Sequence, residues 1–126
     1  MSDAGARSLR RIGIAEAMQL FGMTARAIRL YEERGLIATR RDRLNHRIFD
    51  ACACRRLGWI QVLREAGLPL AVICSILRAE EADGRGSETA LPALQRRRRD
   101  LQGQLASVDR AVARLQVAPR AVVSAS

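Results

Sequence analysis

The last third of the chain carries its most regular hydrophobic pattern. Apolar residues, with one arginine among them, lie 3, 4, 3, 4, 3, 4 and 3 positions apart, which is the a/d spacing of a coiled-coil helix. Because so small a chain has little surface to cover this stripe, the pattern predicts a dimerisation helix over residues 88–116. The alternative is a helix that lies along its own domain. The predicted seam consists of Leu91, Leu94, Arg98, Leu101, Leu105, Val108, Val112 and Leu115.

Arg98 is the polar member of this seam and occupies an a position. A polar side chain at such a place lowers the stability of a coiled coil but can fix its register and partner choice. Arginines also make up the run from residue 96 to residue 99, for which a solvated flank is the simplest interpretation and a second contact with DNA or a partner is the alternative.

Two shorter helical patterns occur near the N-terminus. Residues 14–20 have amphipathic spacing. After a turn at residues 21–23, the hydroxyl of Thr24 can cap a second helix, and Gly35 can end it in the left-handed conformation. The apolar side of the first helix is predicted to consist of Ile14, Ala17, Met18 and Leu20.

The second helix has two different faces at about 100° per residue. The face predicted to pack inward consists of Thr24, Ala27, Ile28 and Tyr31, with Arg34 at its edge. The outer face consists of Ala25, Arg26, Arg29, Leu30 and Glu33. The outer face therefore presents two arginines beside a small alanine. Two short helices joined by a glycine turn, the second with a basic outer face, are typical of a DNA-reading helix-turn-helix. For this helix alone, a solvated arginine face is the alternative.

A hairpin with a basic tip is predicted next. Residues 36–39 and 46–49 alternate like strands around the sequence RRDRLN. Asp50 is a candidate N-cap for a helix that runs to Gly67, and Pro69 can lie in the first turn of a further helix. The residues predicted to be buried in the helix after Asp50 are Leu57, Trp59, Ile60 and Leu63.

These elements predict a mainly α chain, with a winged helix-turn-helix unit at residues 10–78. Residues 79–87 have linker composition and precede the dimerisation helix. Flexible ends are predicted at residues 1–9 and 117–126. Only 11 residues follow Leu115, so the sequence predicts no ligand-binding domain after the helix.

The charge of the chain is strongly positive and unevenly distributed. The formal net charge is +9 over 126 residues, and all 22 basic residues are arginines. Residues 1–64 hold 13 arginines against 6 acidic residues, whereas residues 65–126 hold 9 against 7. This asymmetry favours a basic N-terminal module that attracts a polyanion such as double-stranded DNA. Plain solubility in an arginine-rich proteome is the alternative explanation.

Membrane and secretory segments are not expected. The longest apolar run, residues 68–77, contains Pro69 and Ser75 and falls short of the ~18 residues of a membrane helix. The first 11 residues lack the apolar stretch of a signal peptide. The sequence therefore predicts a cytoplasmic, nucleoid-associated protein without a membrane partner.

Three motifs together resemble the MerR family of bacterial transcription regulators. They are the stretch IGIAEAMQLFGMTARAIRLYEERGLI, the wing segment NHRIFD and the stretch RRLGWIQVLREAGLPLAVICSIL. With the heptad helix, the resemblance covers about residues 11–115. It implies a winged helix-turn-helix that pairs with a second copy through an antiparallel coiled coil. It also implies a palindromic promoter, bent and untwisted so that RNA polymerase can use it.

The resemblance further implies which residues contact DNA. Thr24, Ala25 and Arg26 would enter the major groove, with Arg29 near the same place. Tyr31 would reach the DNA backbone with its hydroxyl, and Arg64 lies at a basic position near the end of the third helix. In the wing, His46 and Arg47 would contact phosphate, and we add Arg41 and Arg43 because of their charge and location. Leu30 and Phe49 depart from the family pattern, since each lacks a phenolic hydroxyl that is common at its position.

Metal and redox chemistry receive little support from the sequence. Metal-sensing relatives carry cysteines at the start of the dimer helix and just after it, where this chain has Ser87 and a tail without cysteine. The three cysteines, Cys52, Cys54 and Cys74, are most simply small buried residues. Cys52 lies near a predicted helix N-terminus, where thiolates are favoured, so a redox role is kept as an alternative.

No catalytic group of residues is apparent, because the chain has one histidine, no glycine-rich phosphate loop and no convincing carboxylate pair. We therefore expect neither an enzyme nor a bound cofactor or metal. The predicted function is a homodimeric, sequence-specific regulator of transcription. An architectural DNA-binding protein that recruits a partner through its coiled coil is the alternative.

Overall fold

A computed structural model describes residues 11–117, so the predicted flexible ends lie outside it, apart from Val117. Two short helices, α1 (Ile14–Phe21) and α2 (Ala25–Glu33), precede a two-stranded sheet. The sheet pairs β1 (Arg40–Arg41) with β2 (Arg47–Ile48) in antiparallel register. Three further helices follow: α3 (Ala51–Glu65), α4 (Leu70–Asp83) and α5 (Gly86–Val117). The mainly helical architecture, with a small wing and a long last helix, is confirmed.

The turn between α1 and α2 forms as predicted. Gly22 adopts a left-handed conformation and closes α1 with a bond from its N–H to the Met18 carbonyl. The Thr24 hydroxyl oxygen accepts a hydrogen bond of 3.1 Å from the backbone N–H of Ala27, which satisfies one unpaired donor of the first turn. The angle between the two helices is therefore set by a glycine and a capping side chain.

The prediction that Leu20 of α1 is buried is wrong. Leu20 is 53% exposed, and the neighbouring Phe21 packs against the core instead. Phe21 lies three and four positions after Met18 and Ala17, so the buried stripe continues through it and not through Leu20. The short apolar side of α1 consequently extends into Phe21, which the sequence predicts to lie in the turn.

The core contains residues of all five helices and of the segments that flank the wing. Its largest fully buried side chains are at most 1% exposed and come from α2, α3 and α4 and from Phe49, the residue after β2. Leu57, Ile60 and Leu63 of α3 are buried as predicted, whereas Trp59 is only half-buried. The largest fully buried side chains are Tyr31, Phe49, Ile28, Leu57, Ile60, Leu63, Ile73, Ile76 and Leu77.

The wing is smaller than the sequence predicts. Residues 36–39 form no strand, because Leu36 and Ile37 are adjacent and both are buried, which the two-residue period of a strand does not allow on one face. The first residues before α1 also join the wing. Ile12 and Phe49 exchange two backbone hydrogen bonds of 3.1 and 2.8 Å, which brings Arg11 beside the wing.

The predicted linker at residues 79–87 is mostly helical. The helix α4 continues to Asp83 and α5 begins at Gly86, so only Gly84 and Arg85 separate them. Alanine and glutamate at residues 79–82 are good helix formers, which explains the longer helix. Ala90 of α5 is 4% exposed, so the first turns of the long helix pack onto the DNA-binding unit.

Arg97 of α5 joins the long helix to the end of α3. Its Nε donates a hydrogen bond of 3.1 Å to the carbonyl of Ala66, the residue that ends α3. A Cβ added at Gly67 would lie 2.7 Å from the Arg97 Nη2 atom. The interpretation of residues 96–99 as a solvated flank is therefore wrong for Arg97, because this side chain satisfies a helix-end carbonyl.

We expect Gly67→Ala to lower the free energy of unfolding more than Gly84→Ala does. Both glycines have positive φ, +86° and +73°, so alanine costs about 1–2 kcal/mol in strain at each position. Only at Gly67 would the new methyl group also displace Arg97 from the Ala66 carbonyl. Urea unfolding of both variants measures the difference, and equal losses would contradict the contact.

Candidate nucleic-acid interface

The outer face of α2 and the end of α3 form one basic surface, which we call the recognition surface. It surrounds a depression of about 790 Å³ that is lined by Thr24, Arg26, Arg29 and Arg64, among others. Arg26 and Arg29 are exposed, and Ala25 is half-buried. The structure thus brings four of the predicted DNA-binding residues together, three from Thr24 and the first half of α2 and one, Arg64, from the end of α3. Guanidinium groups in this position can contact base edges or phosphates.

Tyr31 does not belong to the exposed part of this surface. Its side chain is 1% exposed, and its hydroxyl oxygen accepts a hydrogen bond from Nη1 of Arg64. The Arg64 guanidinium carbon also lies 5.9 Å from the centre of the Tyr31 ring, within the range of a cation–π contact. The buried Tyr31 side chain cannot contact DNA in this arrangement, so that prediction is wrong. Tyr31 instead lies beneath the Arg64 guanidinium and orients it.

Asp42 organises the tip of the wing. One carboxylate oxygen accepts hydrogen bonds from the backbone N–H groups of Leu44 and His46, at 2.9 and 2.8 Å. The bond from the His46 N–H is the main reason that the pKa of Asp42 lies below its ordinary value of 3.8. Because the pKa is lowered, the Asp42 carboxylate is charged at neutral pH and keeps both hydrogen bonds. These bonds weaken only as the pH falls through the lowered pKa.

The arginines and the histidine of the wing tip face water. Arg41, Arg43 and His46 are exposed, and Nη1 of Arg41 donates a hydrogen bond of 2.9 Å to the Asn45 carbonyl. Asn45 has a φ of 65°, which asparagine tolerates better than most residues. The tight tip therefore holds its basic side chains outward, as the sequence predicts.

Arg47 lies at the base of the wing and forms a salt bridge with Glu32. Its Nε donates a hydrogen bond of 3.0 Å to Oε1 of Glu32 on α2, and the two side chains are 24% and 27% exposed. The hydroxyl of Thr39 donates to the other Glu32 oxygen. Glu32 therefore ties the wing to the recognition helix, a contact that the sequence does not reveal.

Arg11 is a candidate DNA-binding residue that the sequence does not predict. It lines a second depression, of about 560 Å³, together with Arg41, His46 and Arg47; we call this the wing surface. Arg11 reaches this place because the adjacent Ile12 is bridged to Phe49. An apolar residue just before α1, flanked by arginine, is the only signal that the sequence offers for this arrangement.

Comparisons with known proteins agree with this geometry. The family model described as MerR HTH family regulatory protein matches residues 13–80, which is more than half of the chain. A second model, described as MerR, DNA binding, matches residues 54–118. The chain belongs to the MerR family. It is therefore a transcription regulator with a helix-turn-helix DNA-binding domain.

Solved structures of MerR-family proteins have the same fold. HiNmlR, described as a MerR-family regulator that lacks the sensor domain and is bound to promoter DNA, is 23% identical with a TM-score of 0.62. That match covers 82% of this chain and 79% of HiNmlR. A regulator from Listeria monocytogenes is 28% identical over 83% and 80% of the two chains, with a TM-score of 0.59. One from Bacillus cereus is 18% identical over 85% and 78%, with a TM-score of 0.66.

The cysteines of this MerR-family chain are distributed differently from the sequence prediction. Cys52 is exposed, whereas Cys54 and Cys74 are half-buried and pack against the core. The prediction that all three are buried is therefore wrong for Cys52, which lies on the outer side of the first turn of α3. Within residues 11–117, no three His, Cys, Asp or Glu side chains are grouped as metal ligands. In the same range, no helix is long and apolar enough to cross a membrane.

We expect Arg47→Ala to weaken binding to promoter and random DNA alike and to flatten the salt dependence of binding. Each lost phosphate contact lowers the slope of log K against log salt by about 0.9. Titrations of labelled DNA at several salt concentrations measure this slope. Glu32→Ala is the control, because it removes the tie to α2 and keeps the Arg47 charge. An unchanged slope for Arg47→Ala would refute a phosphate contact.

Proposed function

We propose that this MerR-family regulator is a homodimer that binds a palindromic promoter element and distorts the DNA between its half-sites. Each copy would place the N-terminal part of α2 in the major groove, with Thr24, Ala25, Arg26 and Arg29 nearest to the bases. Arg64 and the wing surface would hold the flanking phosphates. The promoter-bound state of HiNmlR supports this arrangement by analogy.

The main support for a dimer is that the seam of α5 is exposed. Six of its apolar side chains, from Leu91 to Leu115, are between 43% and 60% exposed, and Leu94 alone packs partly against the core. Most of the seam therefore does not pack against its own domain, which supports a dimer over a helix that lies along the domain. A contiguous apolar stripe of this kind on a soluble chain marks an interaction surface, and its heptad spacing fits a second helix.

Distortion of the DNA is proposed because the basic surfaces are extensive. Bending a promoter-sized site costs of order 1–6 kcal/mol, and several arginine–phosphate contacts in each copy can offset that cost. RNA polymerase would then meet promoter elements in a better relative orientation. A circular-permutation bending assay on the bound promoter measures the bend, and an unbent complex would refute this part of the proposal.

A nuclease footprint tests the proposed function as a whole. One protected palindrome at a promoter, with enhanced cleavage at its centre, is the expected result. Diffuse protection that spreads along the fragment with rising protein would contradict sequence-specific regulation and support the architectural alternative.

A further inference from the structure

The helix α5 leaves the DNA-binding unit at Arg97. Ala90 is buried, and Ala93 and Leu94 pack partly against the core, whereas every residue from 98 to 117 is exposed. Arg97 is half-buried and lies about one helical turn beyond Leu94. It is therefore the last residue of α5 that the DNA-binding unit partly covers before the helix extends into solvent.

Arg97 reaches the recognition surface through the end of α3. Its Nε donates a hydrogen bond to the Ala66 carbonyl, and a Cβ added at Gly67 would lie within 2.7–3.1 Å of three of its side-chain atoms. Ala66 is two positions after Arg64, whose Nη1 donates a hydrogen bond to the Tyr31 hydroxyl of α2. Two hydrogen bonds and the last turn of α3 thus connect the dimerisation helix with the recognition helix.

The end of α3 suits a guanidinium in two ways. Gly67 has a φ of +86° and no side chain, so Arg97 can approach the backbone closely. The carbonyl groups at the C-terminus of a helix carry partial negative charge, which favours a nearby cation. The neighbouring Arg96 and Arg98 are exposed, so Arg97 is the member of the arginine run that uses this place.

The direction of α5 depends strongly on a contact at this distance from Ala90. Ala90 and Arg97 are 7 residues apart, roughly 10 Å along the helix, so a shift of about 1 Å at Arg97 tilts α5 by about 5°. Half-sites on DNA lie about 34 Å or a multiple of that apart. A tilt of about 5° in one copy therefore moves the recognition surface of the other by at least about 3 Å. This displacement is close to the ~3.4 Å step between base pairs.

We propose that Arg97 is a positioning residue that fixes the spacing of the half-sites accepted by the dimer. It acts by locking α5 to the end of α3, and the reading of bases stays with α2. This inference rests on the proposed binding of a dimer to a palindrome. It goes beyond that proposal because it assigns the choice of spacer length to one hydrogen bond within each copy.

Two substitutions of Arg97 separate the hydrogen bond from the charge. Arg97→Gln places an amide nitrogen, which is a donor, at the position of Nε, whereas Arg97→Met places a methyl group there. Both variants lose one charge, and glutamine and methionine have similar helix propensities, so the variants differ mainly in the donor. Arg96→Met is the control for lost charge on α5, because Arg96 is exposed.

The measurement is the affinity for palindromes built from the footprinted half-site, with a spacer that varies one base pair at a time. The natural chain, Arg97→Gln and Arg96→Met are expected to prefer one spacer length. For Arg97→Met, the preference over spacers one base pair longer or shorter is expected to fall by about tenfold, which corresponds to one hydrogen bond from a charged donor. The affinity for an isolated half-site should stay unchanged, which a general loss of folding would not allow.

Gly67→Ala tests the same contact without changing any charge. Its methyl group would displace the Arg97 guanidinium from the Ala66 carbonyl, so it is expected to relax the spacer preference as Arg97→Met does. Combining Gly67→Ala with Arg97→Met should relax the preference no further, because both remove one contact. Arg97→Met leaves the buried core intact, so it decides the question if Gly67→Ala does not fold.

The outcomes separate this inference from the proposed function. A natural chain that binds no palindrome, or that binds all spacers equally, overturns both. If the natural chain requires one spacer and Arg97→Met requires it as strictly, the role of Arg97 alone is overturned. Equal relaxation in Arg97→Gln and Arg97→Met, or in Arg96→Met, would assign the effect to lost charge and would also overturn that role.

Discussion

Replacing Leu105 with glutamate is expected to convert the protein into a monomer and to lower its affinity for a palindromic promoter by about 10²–10⁴-fold. Leu105 is 60% exposed and lies in the middle of the seam, which the proposed dimer would bury. A carboxylate there would be buried without a partner, which a dimer tolerates poorly. The monomer would bind one half-site only, so the gain in affinity from binding two linked half-sites at once would be lost.

Ala106→Glu is the matched control for this experiment. Ala106 is the next residue of α5 and is also exposed, but its side chain points away from the seam. It should leave both the sedimentation coefficient and the promoter affinity nearly unchanged. A Leu105→Glu protein that still sediments as a dimer would contradict the assignment of the seam.

Replacing Arg26 with alanine is expected to cost about 1–3 kcal/mol in binding to the specific promoter and to leave binding to random DNA nearly intact. Arg26 is exposed at the beginning of α2, beside Thr24 and Arg29 at the same depression. A guanidinium at this place can donate two hydrogen bonds to one base, and random sequences lack the matching acceptors.

Competition titrations with promoter and scrambled fragments measure the two affinities side by side. Arg78→Ala is the control for loss of charge, because Arg78 is exposed on α4 and lines neither basic surface. Equal losses on both fragments for Arg26→Ala would show that this residue contacts phosphates and reads no base.

Local features of the fold were predictable from the sequence because each depends on a few adjacent residues. Thr24 and Asp50 cap α2 and α3 as expected, and Gly35 follows α2 with a φ of 74°. The inward position of Ile28 and Tyr31 follows from the helical period alone. Family resemblance then supplied the winged arrangement, which periodicity by itself does not define.

Errors arose where tertiary packing overrides a local pattern. Leu20 and Phe21 are both apolar and adjacent, and only the position of the core decides which of them is buried. Leu36 and Ile37 have strand propensity, but both are needed to cover the core beside α2, so the chain cannot alternate there. The predicted linker is longer than the observed one. The glycines at positions 84 and 86 are typical of a linker, but the residues before them are good helix formers and continue α4.

The candidate site depends on contacts that no sequence pattern contains. Arg47 binds Glu32, which lies 15 positions earlier, and Arg97 binds a carbonyl 31 positions earlier. With 22 arginines and no lysine in the chain, nothing in the sequence distinguishes an arginine that holds the fold from one that faces DNA. The position of Tyr31 could not be predicted from the sequence either. Its side chain is expected at the DNA backbone but is buried and accepts a hydrogen bond from Arg64.

Selection of binding sites from random oligonucleotides shows directly whether two copies of this regulator bind two half-sites together. Two copies joined along α5 would hold two recognition helices at a fixed separation. We therefore predict an enriched palindrome with one constant spacing between its halves. Enrichment of isolated half-sites with variable spacing, or of no sequence at all, would contradict it.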